Sequence, residues 1–435
     1  MLRAVLRSLV LALVFSAGLL ALTYYALPRF GLVVDVRPID RSIFLYRMEP
    51  TLEARLEGAP SIPMSQPTPT TANEVPRVRN LVVLLADGLG FSHLLAARTA
   101  LVGARGRLWV ERLPITSWHT TFAPEGTYTD SAAGASALAA GVWTTPGYLS
   151  MDPDGNPVPT LMEEALAAGK SAALITDSYI WDASMAVWLV HHPKRRDFEE
   201  VAAQMAASGV TMAFGEARSD GDEALTARLQ PFRDAGFDVV TEPQELERLS
   251  YGHRSQIAAL PPHSIAAQDT FPNLVDLVDM ALLRLMADPD GFLLFVETEE
   301  VDSGGHNYDF DRVIRGIEAL DKAAQRIVET VRDRNDTLIL FTGDHETGGL
   351  ALGNSRLEEP LSPMWAWDYH TPAPVPLLAW GAGAERLAGV HDNFQVGRIL
   401  RELFAKPENR TGDALRDELA DVEFSAGASK HPEDG

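Results

Sequence analysis

The stretch Asn80-Leu81-Val82-Val83-Leu84-Leu85-Ala86-Asp87-Gly88-Leu89-Gly90 decides the fold class of this chain. Its unbroken apolar run, 81–86, is typical of a strand that is buried on both faces of a sheet. Residues 172–175, 292–296, 337–342 and 375–380 are similar short runs. Segments with helical periodicity separate them. The alternation predicts an α/β fold with a central, mostly parallel sheet and helices on both faces.

One helix between these runs is well marked. Val313, Ile317, Leu320, Ile327 and Val331 keep spacings of three, four and seven residues, which predicts an amphipathic helix over 312–332. The segment 215–270 is polar, and we expect it to form an irregular excursion over the sheet or part of a dimer interface.

The composition excludes several classes of protein. The chain of 435 residues is 46% hydrophobic and 22% charged, which rules out a wholly disordered or fibrous protein. Its 37 basic and 60 acidic residues give a net charge of −23, so no nucleic acid binding is expected. The absence of cysteine excludes disulfides, thiolate metal ligands and cysteine nucleophiles.

The amino terminus has a composition typical of an export signal. Arg3 and Arg7 precede an uncharged run over 8–27, and about 20 helical residues span roughly the 30 Å of a bilayer core. We predict a transmembrane or signal-anchor segment at 1–28, with a cleaved signal peptide and a buried soluble helix as alternatives. Either export alternative places the bulk of the chain outside the cytoplasm, in the periplasm or at the cell surface.

The rest of the chain divides by composition. Residues 29–78 include a proline-rich linker with Pro60, Pro63, Pro67, Pro69 and Pro76. The alternating pattern predicts a folded α/β domain at 79–405. An acidic tail with little apolar content follows at 406–435.

Acidic and histidine residues follow three of the predicted strands. Asp87 follows the first run, Glu297, Asp302 and His306 follow the run at 292–296, and Asp344-His345 follow the run at 337–342. An acid after a strand is commonly a turn residue or a helix cap. In open α/β sheets, however, ligands bind at the carboxyl ends of the strands. Carboxylates and imidazoles without thiolates suit zinc or another divalent ion.

A further motif surrounds a serine. Residues 131–141 are rich in alanine and predict a tightly packed helix that ends near Gly141. Ser131 would lie in its first turn, where free amides favour an anion, although Asp130 or Ser131 is also a good N-cap. Serine is a poor nucleophile unless a base or a metal ion activates it. The acids and histidines named above are the natural candidates to bind that metal ion.

These motifs together resemble the alkaline phosphatase family over about residues 80–403. The nucleophile signature of the family is similar to Thr129-Asp130-Ser131-Ala132-Ala133. The other matching motifs occur in the same chain order: Asp87-Gly88-Leu89-Gly90, Val296-Glu297 with Asp302 and His306, Asp344-His345-Glu346-Thr347-Gly348-Gly349, and His370-Thr371.

The resemblance implies a role for each matching residue. Ser131 would be the nucleophile that becomes phosphoserine, and Arg195 would clamp the phosphate of small-molecule phosphate monoesters. The ligands of a first zinc ion would be Asp302, His306 and His370.

Two further ions are implied. The ligands of a second zinc ion would be Asp87, Asp344 and His345. A third ion, usually magnesium, would be bound by Asp87, Glu297 and Ser184, with Asp182 in contact through water. Relatives are often homodimers, so the resemblance leaves a homodimer open, and membrane contact would be through the N-terminal segment.

Some positions depart from the family pattern. Ser303, Gly304 and Gly305 put no cationic side chain beside the phosphate pocket, which leaves the rate and the pH optimum open. Two other functions remain alternatives. One is hydrolysis of phosphate diesters or sulfate esters on the same fold, and the other is a catalytically silent metal-dependent binding protein.

Overall fold

The computed structural model describes residues 78–126, 128–218, 220–249, 254–265, 271–353 and 361–404. The predicted anchor at 1–28, nearly all of the arm at 29–78 and the tail at 406–435 lie outside these ranges. Within them, no helix combines the length and the apolar character that a membrane span requires.

Fourteen strands are present in the described ranges. In chain order they are β1 (Asn80–Ala86), β2 (Ile115–Thr120), β3 (Ser171–Tyr179), β4 (Met212–Glu216), β5 (Asp238–Val240), β6 (Gln256–Leu260), β7 (Phe292–Thr298), β8 (Thr337–Thr342), β9 (Glu346–Thr347), β10 (Ala351–Gly353), β11 (Ser362–Met364), β12 (His370–Thr371), β13 (Val375–Gly381) and β14 (Val390–Asp392).

The helices of the same ranges are mostly placed between strands. They are α1 (Phe91–Val102), α2 (Ser131–Ala140), α3 (Leu161–Ala167), α4 (Ala183–Ala186), α5 (Phe198–Ala207), α6 (Asp222–Asp234), α7 (Leu246–Leu249), α8 (Leu274–Leu285), α9 (Glu300–Asn307), α10 (Phe310–Val331) and α11 (Asn393–Phe404), with 3₁₀ turns at Val110–Arg112, Pro243–Glu245 and Ala384–Leu387.

Ten strands form one large sheet in the order β14-β2-β13-β8-β1-β7-β3-β4-β6-β5. All neighbours pair in parallel except β13, which is antiparallel to both β8 and β2. Two small antiparallel pairs, β10 with β11 and β9 with β12, lie outside this sheet. The predicted α/β class with a mostly parallel sheet is therefore confirmed.

The central strand β1 shows why helices cover both faces of the sheet. Leu81, Val83 and Leu85 pack into one core with helices α2, α3, α5 and α11. Val82 and Leu84 point the opposite way, into a second core with α1, α8 and α10. Side chains alternate along a strand, so an unbroken apolar run fills two cores at once.

Two details differ from the sequence expectation. Helix α10 begins at Phe310, two residues before the predicted start, because the Asp309 side chain caps it by accepting a hydrogen bond from the Arg312 amide at 3.0 Å. The segment 215–270 is not an irregular excursion in its described part. It contains α6 and the short strands β5 and β6, which extend the sheet.

The sheet brings the acid-bearing strand ends together. In β1 and β7, Leu85 lies opposite Glu297, and on the other side of β1 the same residue lies opposite Thr342 of β8. The segments that begin at Asp87 and Gly343 therefore leave the sheet side by side, at its carboxyl edge.

Candidate active site

Ser131 is the first residue of helix α2. Asp130 caps the helix, its Oδ1 accepting a hydrogen bond from the Ala133 amide at 2.9 Å, and Gly141 ends it with a left-handed φ of 69°. The cap and the candidate nucleophile are thus neighbouring residues, and the two interpretations of this motif are compatible. Ser131 Oγ lies 3.3 Å from Nε2 of His345, so the hydroxyl faces the acid and histidine cluster.

Asp302 is the centre of one group of candidate metal ligands. It lies on helix α9 one turn before His306, whose Nε2 is 3.3 Å from Asp302 Oδ2. His370, from β12, places its Nε2 3.6 Å from Asp302 Oδ1. The three ligand atoms lie within 4.8 Å of one another, close enough to bind one ion.

The contacts of Nδ1 in His306 and His370 determine which nitrogen of each ring carries the proton. Nδ1 of His306 is 2.8 Å from the Asp368 carbonyl oxygen, and Nδ1 of His370 is 2.7 Å from the Thr129 carbonyl oxygen. A carbonyl can only accept a hydrogen bond, so each Nδ1 carries the proton and, in a neutral ring, Nε2 presents a lone pair. Those lone pairs face the oxygens of Asp302, an arrangement that a cation between them would stabilise.

A second group of candidate ligands surrounds His345. Its Nε2 is 3.3 Å from Asp87 Oδ1 and 3.5 Å from Asp344 Oδ2. Both of these buried oxygens lack a hydrogen-bond partner among the described residues. Asp302 is also close enough to share an ion with Asp87 and His345, so it lies between the two groups.

The predicted third-ion residues adjoin this group. Ser184 Oγ donates to Asp87 Oδ2 at 3.0 Å, and Thr176 Oγ1 donates to Glu297 Oε2 at 2.7 Å. The other oxygen of Glu297 is buried and has no hydrogen-bond partner in the described part of the chain. Asp182 caps the short helix α4 through its own neighbour, the Ala183 amide.

Burial of so many acids shifts their protonation. Burial, and then repulsion from Asp182, raises the pKa of Glu297 to about 8. Burial and the charge of Asp302 raise the pKa of Asp344 to about 7, and burial with Asp344 raises that of Asp87 well above its ordinary value. Without cations these carboxylates are difficult to ionise together, which is the condition that bound divalent ions relieve.

Asp302 behaves differently from the other acids. Burial raises its pKa, but the contact with His306 and the positive charge that the imidazoles of His345 and His370 carry when protonated lower it by more, so the net pKa is well below the ordinary value. The same contact with Asp302 raises the pKa of His306, whereas burial lowers the pKa values of His345 and His370.

Arg195 lies on the Ser131 side of the site. Its Nη1 donates to Asp130 Oδ2 at 3.0 Å, and its Nη2 is 3.6 Å from Asp182 Oδ1. Asp130 also accepts a hydrogen bond from the Gly147 amide at 3.0 Å. The residue that caps the serine helix therefore also holds the guanidinium in place.

The predicted site residues all take part in this network. Sequence reasoning did not single out Thr347, which donates to Asp302 and lies 3.2 Å from His345 Nδ1. Sequence reasoning also did not predict the hydrogen bond from Thr176 to Glu297 or the one from Arg195 to Asp130. Thr347 stands two residues after His345 in a quoted motif, and that spacing was the available signal.

Comparison with known proteins gives a consistent result. The family model described as alkaline phosphatase matches residues 78–223 and 254–363. Alkaline phosphatase 3 of Bacillus subtilis is 27% identical over 293 residues, an alignment that covers 63% of each chain. The chain thus spans under two thirds of that relative's length. Streptomycin-6-phosphate phosphatase of Streptomyces griseus is 26% identical over 427 residues, covering 79% of this chain and 95% of the relative.

Solved structures share the fold. Alkaline phosphatase from the Antarctic bacterium TAB5 superposes with a TM-score of 0.68 at 21% identity, covering 77% of this chain and 100% of the other. The enzyme from Thermus thermophilus gives a TM-score of 0.67 at 22% identity, covering 80% and 97%.

Proposed function

The chain belongs to the alkaline phosphatase family, and on that premise we propose that it hydrolyses phosphate monoesters through a phosphoserine intermediate on Ser131. One observation carries the proposal. The Ser131 hydroxyl begins a helix and lies 3.3 Å from Nε2 of His345, at the edge of a buried cluster of carboxylates and imidazoles. A serine in this position has a route to activation and an anion site at the same place.

The residues fit the metal ions that such chemistry needs. Asp302, His306 and His370 would hold one zinc ion, and Asp87, Asp344 and His345 a second. Asp87, Glu297 and Ser184 would hold magnesium, with Asp182 nearby. The support is a set of buried oxygens, one each on Asp87, Asp344 and Glu297, that have no hydrogen-bond partner within the part of the chain that the structure describes. A variant of the TAB5 enzyme has been solved with magnesium bound, which agrees with a third site.

The chemistry divides between the ions and the protein. When bound, the two zinc ions would lower the pKa of the serine hydroxyl and neutralise the leaving oxygen, and magnesium would add positive charge beside Asp87. Ser131 Oγ then forms a bond to phosphorus while the bond to the alcohol oxygen breaks, and the alcohol departs with a proton. Water then attacks the phosphorus of the phosphoserine, the Oγ–P bond breaks, and inorganic phosphate leaves as the Ser131 hydroxyl is restored.

Arg195 and the helix start bind the phosphate in this proposal. A guanidinium can donate two parallel hydrogen bonds to two phosphate oxygens, which an ammonium group cannot. Asp130 contacts Nη1 of the guanidinium and Asp182 lies near Nη2, so each terminal nitrogen keeps a second N–H group for the substrate. The amides of Ser131 and Ala132, in the first turn of α2, add donors for the same anion.

A side-by-side assay tests the function. Protein loaded with zinc and magnesium should hydrolyse a phosphate monoester faster than a diester or a sulfate ester. Chelation should abolish the activity, and the two metals should restore it. Faster turnover of the diester or the sulfate ester, or no turnover of any ester, would contradict the proposal.

A further inference from the structure

Two exposed tyrosines lie beside the site and have no role in the chemistry above. Tyr128 precedes Ser131 by three residues and is 46% exposed, and Tyr369 precedes His370 and is 43% exposed. Large aromatic side chains at a surface next to a reactive group are frequent contact points for ligands.

A stack of rings connects Tyr369 to the nucleophile. The imidazoles of His345 and His370 stack with centroids 3.7 Å apart and planes at 20°. The Tyr369 ring stacks on His370 at 4.3 Å and 11°. His345 is fully buried and contacts Ser131, whereas Tyr369 reaches the surface. Only the His370 ring therefore separates the exposed Tyr369 ring from His345, which contacts Ser131.

Tyr128 stands at a right angle to this stack. Its ring centroid is 6.0 Å from that of Tyr369, and the two planes meet at 88°. His370, on which Tyr369 stacks, is 2.7 Å through Nδ1 from the Thr129 carbonyl oxygen, two residues before Ser131. The two ring planes are nearly perpendicular, so a third ring that stacks on one tyrosine would point its edge at the face of the other.

We propose that Tyr128 and Tyr369 form a subsite for leaving groups that contain an aromatic ring. The inference rests on the proposed hydrolysis at Ser131 and specifies its substrate class. A purely structural role, in which the Tyr369 ring shields His370 from water, would not account for an exposed tyrosine at position 128. Favourable aromatic pairs contribute a preference of about two- to tenfold beyond surface burial.

The experiment compares two esters that differ only in aromaticity. Benzyl phosphate and cyclohexylmethyl phosphate both release a primary alcohol, so their intrinsic reactivity is similar. We expect kcat/KM of the wild-type protein to favour the benzyl ester by about two- to tenfold. Tyr128→Leu and Tyr369→Leu should bring the ratio close to one, and Tyr128→Phe, which keeps the ring, should preserve it.

Two further measurements separate this subsite from the phosphate site. Inhibition by inorganic phosphate, which has no leaving group, should be unchanged in Tyr128→Leu. Benzylphosphonate should bind more tightly than cyclohexylmethylphosphonate to wild type, by a similar factor, and equally to Tyr128→Leu. Equal kcat/KM values, or a ratio that survives both leucine substitutions, would overturn the subsite alone. If neither ester is hydrolysed, the proposed function fails, and the two phosphonate affinities still decide the subsite.

Discussion

Thr347 connects the two groups of candidate zinc ligands through one hydroxyl. That hydroxyl gives its proton to Asp302, so it can only accept from His345 Nδ1 and thereby directs Nε2 of that ring inward. Partners of this kind orient metal ligands, and their loss commonly weakens metal affinity by about 10- to 100-fold. The hydroxyl therefore helps to orient ligands of both groups.

We expect Thr347→Val to lower zinc affinity by about 10- to 100-fold because the bonds to Asp302 and His345 are lost while the volume is kept. Competition with a chromogenic chelator would measure the change. The matched control is Thr347→Ser, which retains the hydroxyl and should bind zinc nearly as wild type does. Equal affinities in both variants would show that Thr347 does not orient the ligands.

Arg195 offers a second test at the scale of one residue. In Arg195→Lys the fork that binds two phosphate oxygens is lost, and we expect kcat/KM for a monoester to fall by about 10- to 100-fold. Steady-state kinetics and phosphate inhibition would report the loss. The neighbouring Arg196 is exposed, and Arg196→Lys should leave both parameters unchanged. An equal loss of kcat/KM in both variants would contradict the proposal that Arg195 binds the phosphate.

Helix α2 approaches the loop after β8 so closely that a side chain would not fit at Gly134. A Cβ there would lie 2.8 Å from the Asp344 carbonyl oxygen and 3.1 Å from Asp344 Cβ. Alanine normally favours a helix over glycine by about 1 kcal/mol, but overpacking against a backbone atom costs about 1–3 kcal/mol.

Gly134→Ala should therefore lower the free energy of unfolding by about 1 kcal/mol and weaken zinc binding, because Asp344 must move. Urea denaturation and zinc titration would measure the two effects. Gly126→Ala is the control, since the nearest atom to its Cβ is 3.8 Å away. A stabilised Gly134→Ala protein with wild-type zinc affinity would contradict the close packing.

Elements with strong local signals were predictable from the sequence, and those defined by tertiary pairing were not. The runs that became β1, β3, β7, β8 and β13 are apolar because both of their faces are buried. The composition of a buried strand does not show whether it runs parallel or antiparallel to its neighbours, so the antiparallel direction of β13 was not predictable. Strands β5 and β6 are short and adjoin polar residues, and their place in the sheet depends on the pairing of β6 with β4 and β5.

The candidate site divides in the same way. Asp87, Glu297 and Asp344 follow strands, and the rule for open α/β sheets predicts that they meet. Asp182, Ser184 and Arg195 were placed only by resemblance to a family. The contact between Thr347 and Asp302 joins residues 45 positions apart, and no local pattern predicts it.

The molecule as a whole should lose stability as pH rises when metal is absent. The pKa values of Asp344 and Glu297 are raised to about 7 and about 8, so the folded protein retains protons that the unfolded chain releases near pH 4. The pKa values of buried His93 and His119 are lowered to about 4, which opposes this trend only below about pH 6.5.

Between pH 6.5 and 8.5 we therefore expect the free energy of unfolding of chelated protein to decrease steadily. With zinc and magnesium bound, the carboxylates stay ionised and the decrease should disappear, because metal binding strengthens as protons leave the ligands. Urea denaturation at several pH values would measure both curves. A metal-free curve that is flat or rises with pH would contradict the buried acidic cluster.

The central claim is that Ser131 becomes phosphorylated, and peptide mass mapping after acid quench tests it most directly. Metal-loaded protein incubated with a monoester should carry a phosphoryl group on the peptide containing Ser131. Ser131→Ala should carry none and lose at least about a thousandfold in kcat, whereas Ser136→Ala, a change on the same helix, should still be phosphorylated. A Ser131→Ala protein that binds metal and turns over at the wild-type rate would contradict the account.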